Sequence, residues 1–356
     1  MLFLASPVHY LFMTLLGILS LVLLMIFVVL LYSFYQYRQT ATMVKWTGII
    51  NQKILETIAY DKDEIPSNEE FTAFSNNGLF RNLFLSKLVE SENKFSGITG
   101  SKIKTLFKEY SLQKEALKKL NQKKPHLIAG GIQELTAMND VDALPKISAL
   151  LKHSSPLVYQ EAQYAMVGFK GFEGLLFLDN VTTKISEWQQ LRLLLSIHNI
   201  PENFEETIKG WLTSKNDSVI IFTLRLLKKF QVLSFYPFIA ELLDHSSVEI
   251  RIQVVQTLQS MENSSTIAYL IDVYPNQPVE VQLEILRVIK ISKDMRCVDF
   301  LKQQLLENPL PKIKIYAAEA LFSLGFQEYL LQLAKDPLSS EQLIQIIKHA
   351  LQEEIC

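Results

Sequence analysis

The sequence predicts an all-α chain: one membrane-crossing helix at the N-terminus, then about seven stacked helical pairs. Three observations carry that expectation. Residues 10–32, YLFMTLLGILSLVLLMIFVVLLY, are almost continuously apolar. The stretches LPKISALLKHSSPLVY (144–159) and YPFIAELLDHSSVEIR (236–251) repeat one pattern 92 residues apart. Apolar residues also recur at helical spacing with a period near 31 residues between positions 127 and 313. A motif duplicated whole within one chain marks a stacked structural unit.

The apolar stretch comes first. At about 1.5 Å per residue it reaches roughly 34 Å, enough to cross a hydrocarbon core of about 30 Å. No charged residue precedes Arg38. The stretch therefore lacks the basic n-region of a cleaved signal, and it is longer than such a signal's apolar core. A retained anchor is expected within residues 1–37. Arg38, Lys45 and Lys53 follow the span and no Lys or Arg precedes it. The positive-inside rule then puts the N-terminus outside and everything after Arg38 in the cytoplasm, as a single-pass inner-membrane protein. Tyr32, Phe34, Tyr35 and Tyr37 suit an interfacial belt at the exit.

Residues 38–125 form a juxtamembrane and basic neck. A helix is expected over 44–60, then an acidic loop holding Asp61, Asp63 and Glu64 and broken at Pro66. Two or three amphipathic helices follow, the third capped by Ser111. Residues 81–125 hold eleven bases and four acids, in a chain whose formal net charge is −2. One reading makes these helices a solvated cap packed on the first repeat. The other makes Lys102, Lys104, Lys108, Lys118, Lys119, Lys123 and Lys124 a patch for anionic lipid or a partner, each worth about 1 kcal/mol near such a surface. Nothing resembles a nucleic-acid reading module, which argues against that class of partner.

From residue 126 the repeat takes over. In SVEIRIQVVQTLQSM, Ile250, Val254, Val255, Leu258 and Met261 share one helical face. The same template fits from anchors at 127, 158, 188, 219, 250, 281 and 313, and it is weakest at Trp188. Second helices follow over 143–151, 235–243, 267–274 and 297–305. Their inward positions are Ile147, Leu178, Ile208, Ile239, Leu270, Leu301 and Leu333. Asp140 and Asp294 suit N-caps. Pro156, Pro278 and Pro311 sit near first turns, where a missing N–H is tolerated. Residues 339–354, with Leu343, Ile344, Ile347 and Leu351 on one face, read as the capping helix an open solenoid requires.

This pattern of Pro-x-Ile-x-x-Leu-Leu, a Ser/Asp turn and a Val/Ile-led helix resembles HEAT-type repeats, in the short form also seen in phycobilin-lyase-like proteins. The resemblance covers about residues 126–335. It implies an α-solenoid with a binding surface and no fixed ligand. SSVEIRIQVVQTL matches best, with Arg251 at the usual basic position. The other units carry Tyr159, Gln189, Ile220, Gln282 and Lys314 there, so a ladder of arginines is not expected.

Motifs for chemistry are absent from the sequence. GFKGFEG (168–174) lacks a Walker ending and follows no strand, so it reads as an inter-helix turn. The six histidines have no metal-ligand spacing. His153 and His245 end equivalent helices, where a cation or donor suits the dipole. Cys297 and Cys356 form neither a disulfide framework nor a zinc cluster, and they suit a reducing compartment. The sequons at Asn180, Asn216 and Asn263 read as turn chemistry. No enzyme activity, metal or cofactor is expected.

One column stands out on the second helices, one residue before each inward position: Lys146, Phe177, Thr207, Phe238, Tyr269, Phe300 and Gln332. Its aromatics point away from the core of their own pair. They either pack on the neighbouring unit or form a partner-binding stripe of Lys146, Phe177, Phe238, Tyr269 and Phe300. If they form the stripe, replacing Phe238, Tyr269 and Phe300 together with Ala leaves the fold nearly intact and weakens binding. The functional expectation is a membrane-anchored adaptor for a protein partner. The chain also resembles bacterial anchored HEAT proteins that accompany envelope or polysaccharide-synthesis enzymes. The alternative is a lyase-like or small-molecule-handling protein that uses the concavity.

Overall fold

The computed structural model describes residues 7–60, 69–95, 97–261 and 263–352, and it describes no side chain for residues 7–9 or 352. Asp61, Asp63, Glu64, Pro66 and Cys356 lie outside the described residues. Those residues contain nineteen α-helices and no strand. The chain divides into two compact bodies, one up to Ala165 and one from Met166.

In the first body, α1 runs unbroken from Pro7 to Ala59. The expected separate helix at 44–60 is its continuation. Residues 33–47 contain neither Gly nor Pro, so nothing ends the helix behind the apolar span. Between Tyr10 and Lys45 every residue is exposed. From Trp46 one face turns into a core: Trp46, Ile49, Ile50 and Ile54 are buried. They meet α2 (Glu69–Phe74), α3 (Gly78–Glu92) and α4 (Ile98–Glu109). Phe71 is the hub, its ring 5.3, 5.1 and 5.2 Å from those of Phe80, Phe84 and Tyr110. Asn77 caps α3, its side chain accepting from the Leu79 and Phe80 amides. Ser111 caps nothing. It turns the chain with φ +49°, and α5 (Gln113–Leu120) starts behind Leu112.

α5 packs closely on α6 (Pro125–Ala137), the first helix of unit one. Gly131 allows this, since a Cβ there would sit 2.9 Å from the Ala116 carbonyl oxygen. α7 (Leu144–Ala149) completes the unit, and α8 (Pro156–Lys170) opens the next.

In the second body, unit two has no second α-helix; a 3₁₀ run, Gly171–Asn180, replaces it. Gly171 turns the chain at φ +59°. A Cβ on Gly174 would overlap the Met166 carbonyl and lie 2.6 Å from Val167 Cα. The glycine-rich stretch is therefore built for a tight turn and backbone contact. The remaining pairs are α9/α10 (Glu187–Ser196, Glu205–Leu212), α11/α12 (Asp217–Phe230, Tyr236–Glu241), α13/α14 (Val248–Ser260, Thr266–Val273), α15/α16 (Val279–Ser292, Val298–Glu307) and α17/α18 (Pro311–Ser323, Gln327–Lys335). Helix α19 (Glu341–Gln352) packs on α17 and α18.

The template holds best in units five and six, where Ile250, Val254, Val255, Leu258, Val281, Ile285, Leu286 and Ile289 are inaccessible. It fails at Trp188, which is 73% exposed; Gln189, Gln190, Leu193 and Ile197 are buried in its place. Ser186 caps α9 and sets the register one residue later. It also slips in unit seven, where Leu330 and not Leu333 is buried. Gly325, at φ +86°, closes that turn in fewer residues and brings the inward position forward by one helical turn.

The duplicated His-Ser-Ser has a shared geometry. His153 Nδ1 accepts the Ser155 amide at 3.0 Å, and His245 Nδ1 accepts the Ser247 amide at 3.0 Å. The imidazole is thus an acceptor in the turn, where a cation or donor was expected. Arg251 donates to the His245 carbonyl, Gln282 to Tyr274 O at 3.1 Å and Lys314 to Leu306 O at 3.0 Å. Three different side chains therefore satisfy the end of the preceding second helix. Asp294 caps as expected, accepting from the Arg296 amide, whereas Asp140 is buried and makes no capping bond.

Candidate functional site

The aromatic column sits on the second element of each unit, an α-helix in all but unit two, where Phe177 lies on the 3₁₀ run. Phe238 is the most open, at 41% exposure. Lys209 lies over its ring at 4.9 Å while paired with Glu205 and Glu206. Tyr269 is half-buried and donates its hydroxyl to Ala240 O, one unit back, at 3.3 Å. Phe300 is half-buried and meets Tyr274 edge-on at 5.0 Å. Phe177 is half-buried on the 3₁₀ run. The hydroxyl bond of Tyr269 and the ring contact of Phe300 are both with the unit before, as the packing reading expected. Among the aromatics of the column only Phe238 is exposed. In the first body, Lys146 is exposed on α7. Phe238 is therefore the residue that separates the roles. Phe238→Ala should shift unfolding free energy by less than about 1 kcal/mol, as open positions do, while weakening capture of a partner in a pull-down.

The seven lysines of the neck divide. Lys102 donates to Ile58 O at 3.3 Å and Tyr60 O at 2.9 Å, closing the C-terminus of α1. Lys104 pairs with Glu92 at 3.0 Å, Lys118 with Glu115 at 2.9 Å, and Lys119 with Glu134. Burial raises the Glu134 carboxyl above its ordinary range, against the pull of Lys119. Lys108, Lys123 and Lys124 are exposed. Four of the seven thus have partners within the first body, Lys119 tying the neck to the first repeat.

A second surface escaped the sequence reading. Helix α9 presents Trp188, Leu191 and Leu195 outward, the last 71% exposed. Polar groups of α11 clamp its other side: Arg225 donates to Gln190 at 3.0 Å and pairs with Glu187 at 3.2 Å. Lys229 donates to Leu194 O at 2.6 Å and Ile197 O at 2.7 Å. Beside it opens a cleft of about 1140 Å³, lined by Lys184, Glu187, Lys215, Asn216, Arg225 and Glu249 among others. Asn216 binds the cleft loop through Val181 O at 3.1 Å and Thr183 O at 2.9 Å, which is turn chemistry. The signal in the sequence was the poor fit at Trp188.

Among the described residues no cluster of three His, Cys, Asp or Glu could hold a metal ion. Burial pushes the Cys297 thiol up to about 11, so it is a poor nucleophile.

No family model matches the chain, and no curated protein matches it. Solved structures do. A Kap121p mutant aligns with TM-score 0.54 and 11% identity over 88% of this chain and 40% of its own. Importin beta gives TM-score 0.36 and 11% identity over 87% and 55%. The CpcE–CpcF phycocyanin lyase complex of Nostoc sp. PCC7120 gives 0.25 and 10% over 83% and 98%. This chain spans less than half the length of the Kap121p mutant. The likeness to that mutant, with the 31-residue period, establishes the fold: a HEAT-like α-solenoid.

Proposed function

We propose that this chain is a membrane-anchored, non-enzymatic adaptor that holds a protein partner at the cytoplasmic face of the inner membrane. The observation that carries this reading is the continuity of α1. One helix passes from a wholly exposed apolar span into the aromatic core of the first body. A bilayer would shield the apolar span, and the body would then stand on a rigid stem. Repeat surfaces such as that at Phe238 supply the partner contact. The resemblance to bacterial anchored HEAT proteins makes an envelope or polysaccharide-synthesis enzyme the first partner to test.

Topology is the direct check. Alkaline phosphatase fused to the C-terminus should be inactive and a cytoplasmic fluorescent reporter bright; the opposite pattern would reverse the orientation. A second reading, a small-molecule carrier, draws on the polar cleft beside α9, whose volume suits a ligand of moderate size.

A further inference from the structure

The free face of α1 carries a feature that the adaptor reading does not use. From Leu30 to Leu55, positions 30, 34, 37, 41, 44, 48, 51 and 55 alternate steps of four and three. That is a heptad spacing over about three and a half repeats, apolar or aromatic at six of its eight positions and interrupted at Gly48 and Asn51. On the stem it presents Phe34, Tyr37, Ala41 and Val44, and beside the body Gly48, Asn51 and Leu55. All seven are exposed. At about 100° per residue the seam lies roughly opposite the buried positions Trp46, Ile50, Ile54 and Thr57. The opposite side of the stem is polar, with Gln36 donating to Tyr32 Oη at 3.0 Å and Gln39 to Tyr35 Oη at 2.8 Å.

We propose that α1 pairs with α1 of a second copy of this chain as a parallel two-stranded coiled coil. The proposal rests on the anchor reading. Copies inserted in one bilayer share one orientation, so parallel pairing is imposed and the seam continues out of the membrane. The core of each first body lies on the far side of its own helix, so the seam itself is clear of that core. Gly48 lets the backbones approach, and a shallow hollow lined by Gly48, Asn51 and Leu55 lies there. Asn51 is self-complementary, since its amide both donates and accepts; across a two-fold axis it fixes the register. The flanks do not oppose this: Arg38 and Lys45, the latter paired with Glu70 at 3.7 Å, border one side, Thr40 and Thr47 the other. In a parallel pair cations therefore face hydroxyls. A heterologous helix would need its own matching seam. A second copy supplies one by symmetry.

Disulfide trapping tests this on the full chain in native membranes, with Cys356 replaced by Ser. Cys297 stays, because it is buried and its thiol resists ionisation. Single substitutions Ala41→Cys and Val44→Cys lie on the seam; Gln39→Cys and Thr42→Cys lie off it. All four positions are exposed, so the fold should be unaffected. Oxidation should give a species of twice the chain mass several-fold more at 41 and 44 than at 39 and 42, and adding Val44→Arg to Ala41→Cys should remove it. Equal trapping at all four positions, or trapping to a different protein, overturns the second-copy seam while leaving the anchor intact. Release of the chain by carbonate overturns the anchor and the seam together.

Discussion

Arg81→Met should destabilise the first body by about 3 kcal/mol at neutral pH, the scale for breaking a buried ion pair from one side. Arg81 Nε donates to Glu115 at 2.9 Å, and its Nη2 donates to both Tyr110 O at 2.8 Å and Ser111 O at 3.1 Å. Methionine keeps the volume and removes every one of those donors. Burial tends to raise the Glu115 carboxyl, but Lys118 and Arg81 together outweigh it and hold the group below its ordinary range. A depressed carboxylate adds stability that is complete above its unfolded value of about 4.3. That stability is lost as pH falls through the lower folded value. The deficit of the variant, measured by urea unfolding, should therefore be full at pH 7 and shrink below about pH 4. A deficit independent of pH would mean that the lost bonds to the Tyr110 and Ser111 carbonyls, and not the ion pair with Glu115, carry the effect.

Gly174→Ala should cost the second body about 3 kcal/mol or more, at the upper end for overpacking. The added methyl would meet the backbone of Met166 and Val167, which no rotamer change can move. Gly171→Ala is the matched control. No atom lies within 4 Å of a Cβ there, and only the positive φ resists it. That strain is about 1–2 kcal/mol. Equal thermal shifts for both variants would show that the α8 contact is not tight.

The repeat was legible because burial follows the 3.6-residue period wherever both helices of a pair are regular. Ile250, Val281 and Ile313 occupy the positions their spacing assigns. Errors fall where a turn or cap overrides periodicity: Ser186 displaced the register at Trp188, and Gly325 displaced it at Leu333. Charge left two readings open for another reason. A run of lysines looks alike whether its partners are lipid phosphates or backbone carbonyls, and Lys102 and Lys119 show their partners only in three dimensions. The break expected in α1 came from a change in composition, which ends apolarity without ending a helix. The column at Phe238 was visible, and packing on the neighbouring unit was one of its two readings; which of its members stay open was not.

Purification of the full chain from detergent extracts, with Phe238→Ala in parallel, tests the adaptor account most directly. The expected result is one membrane protein retained in stoichiometric amount by the parent chain and largely lost from the variant. Recovery of a tightly bound or coloured small molecule, with no protein partner, would contradict the account and favour the ligand-carrying reading of the cleft.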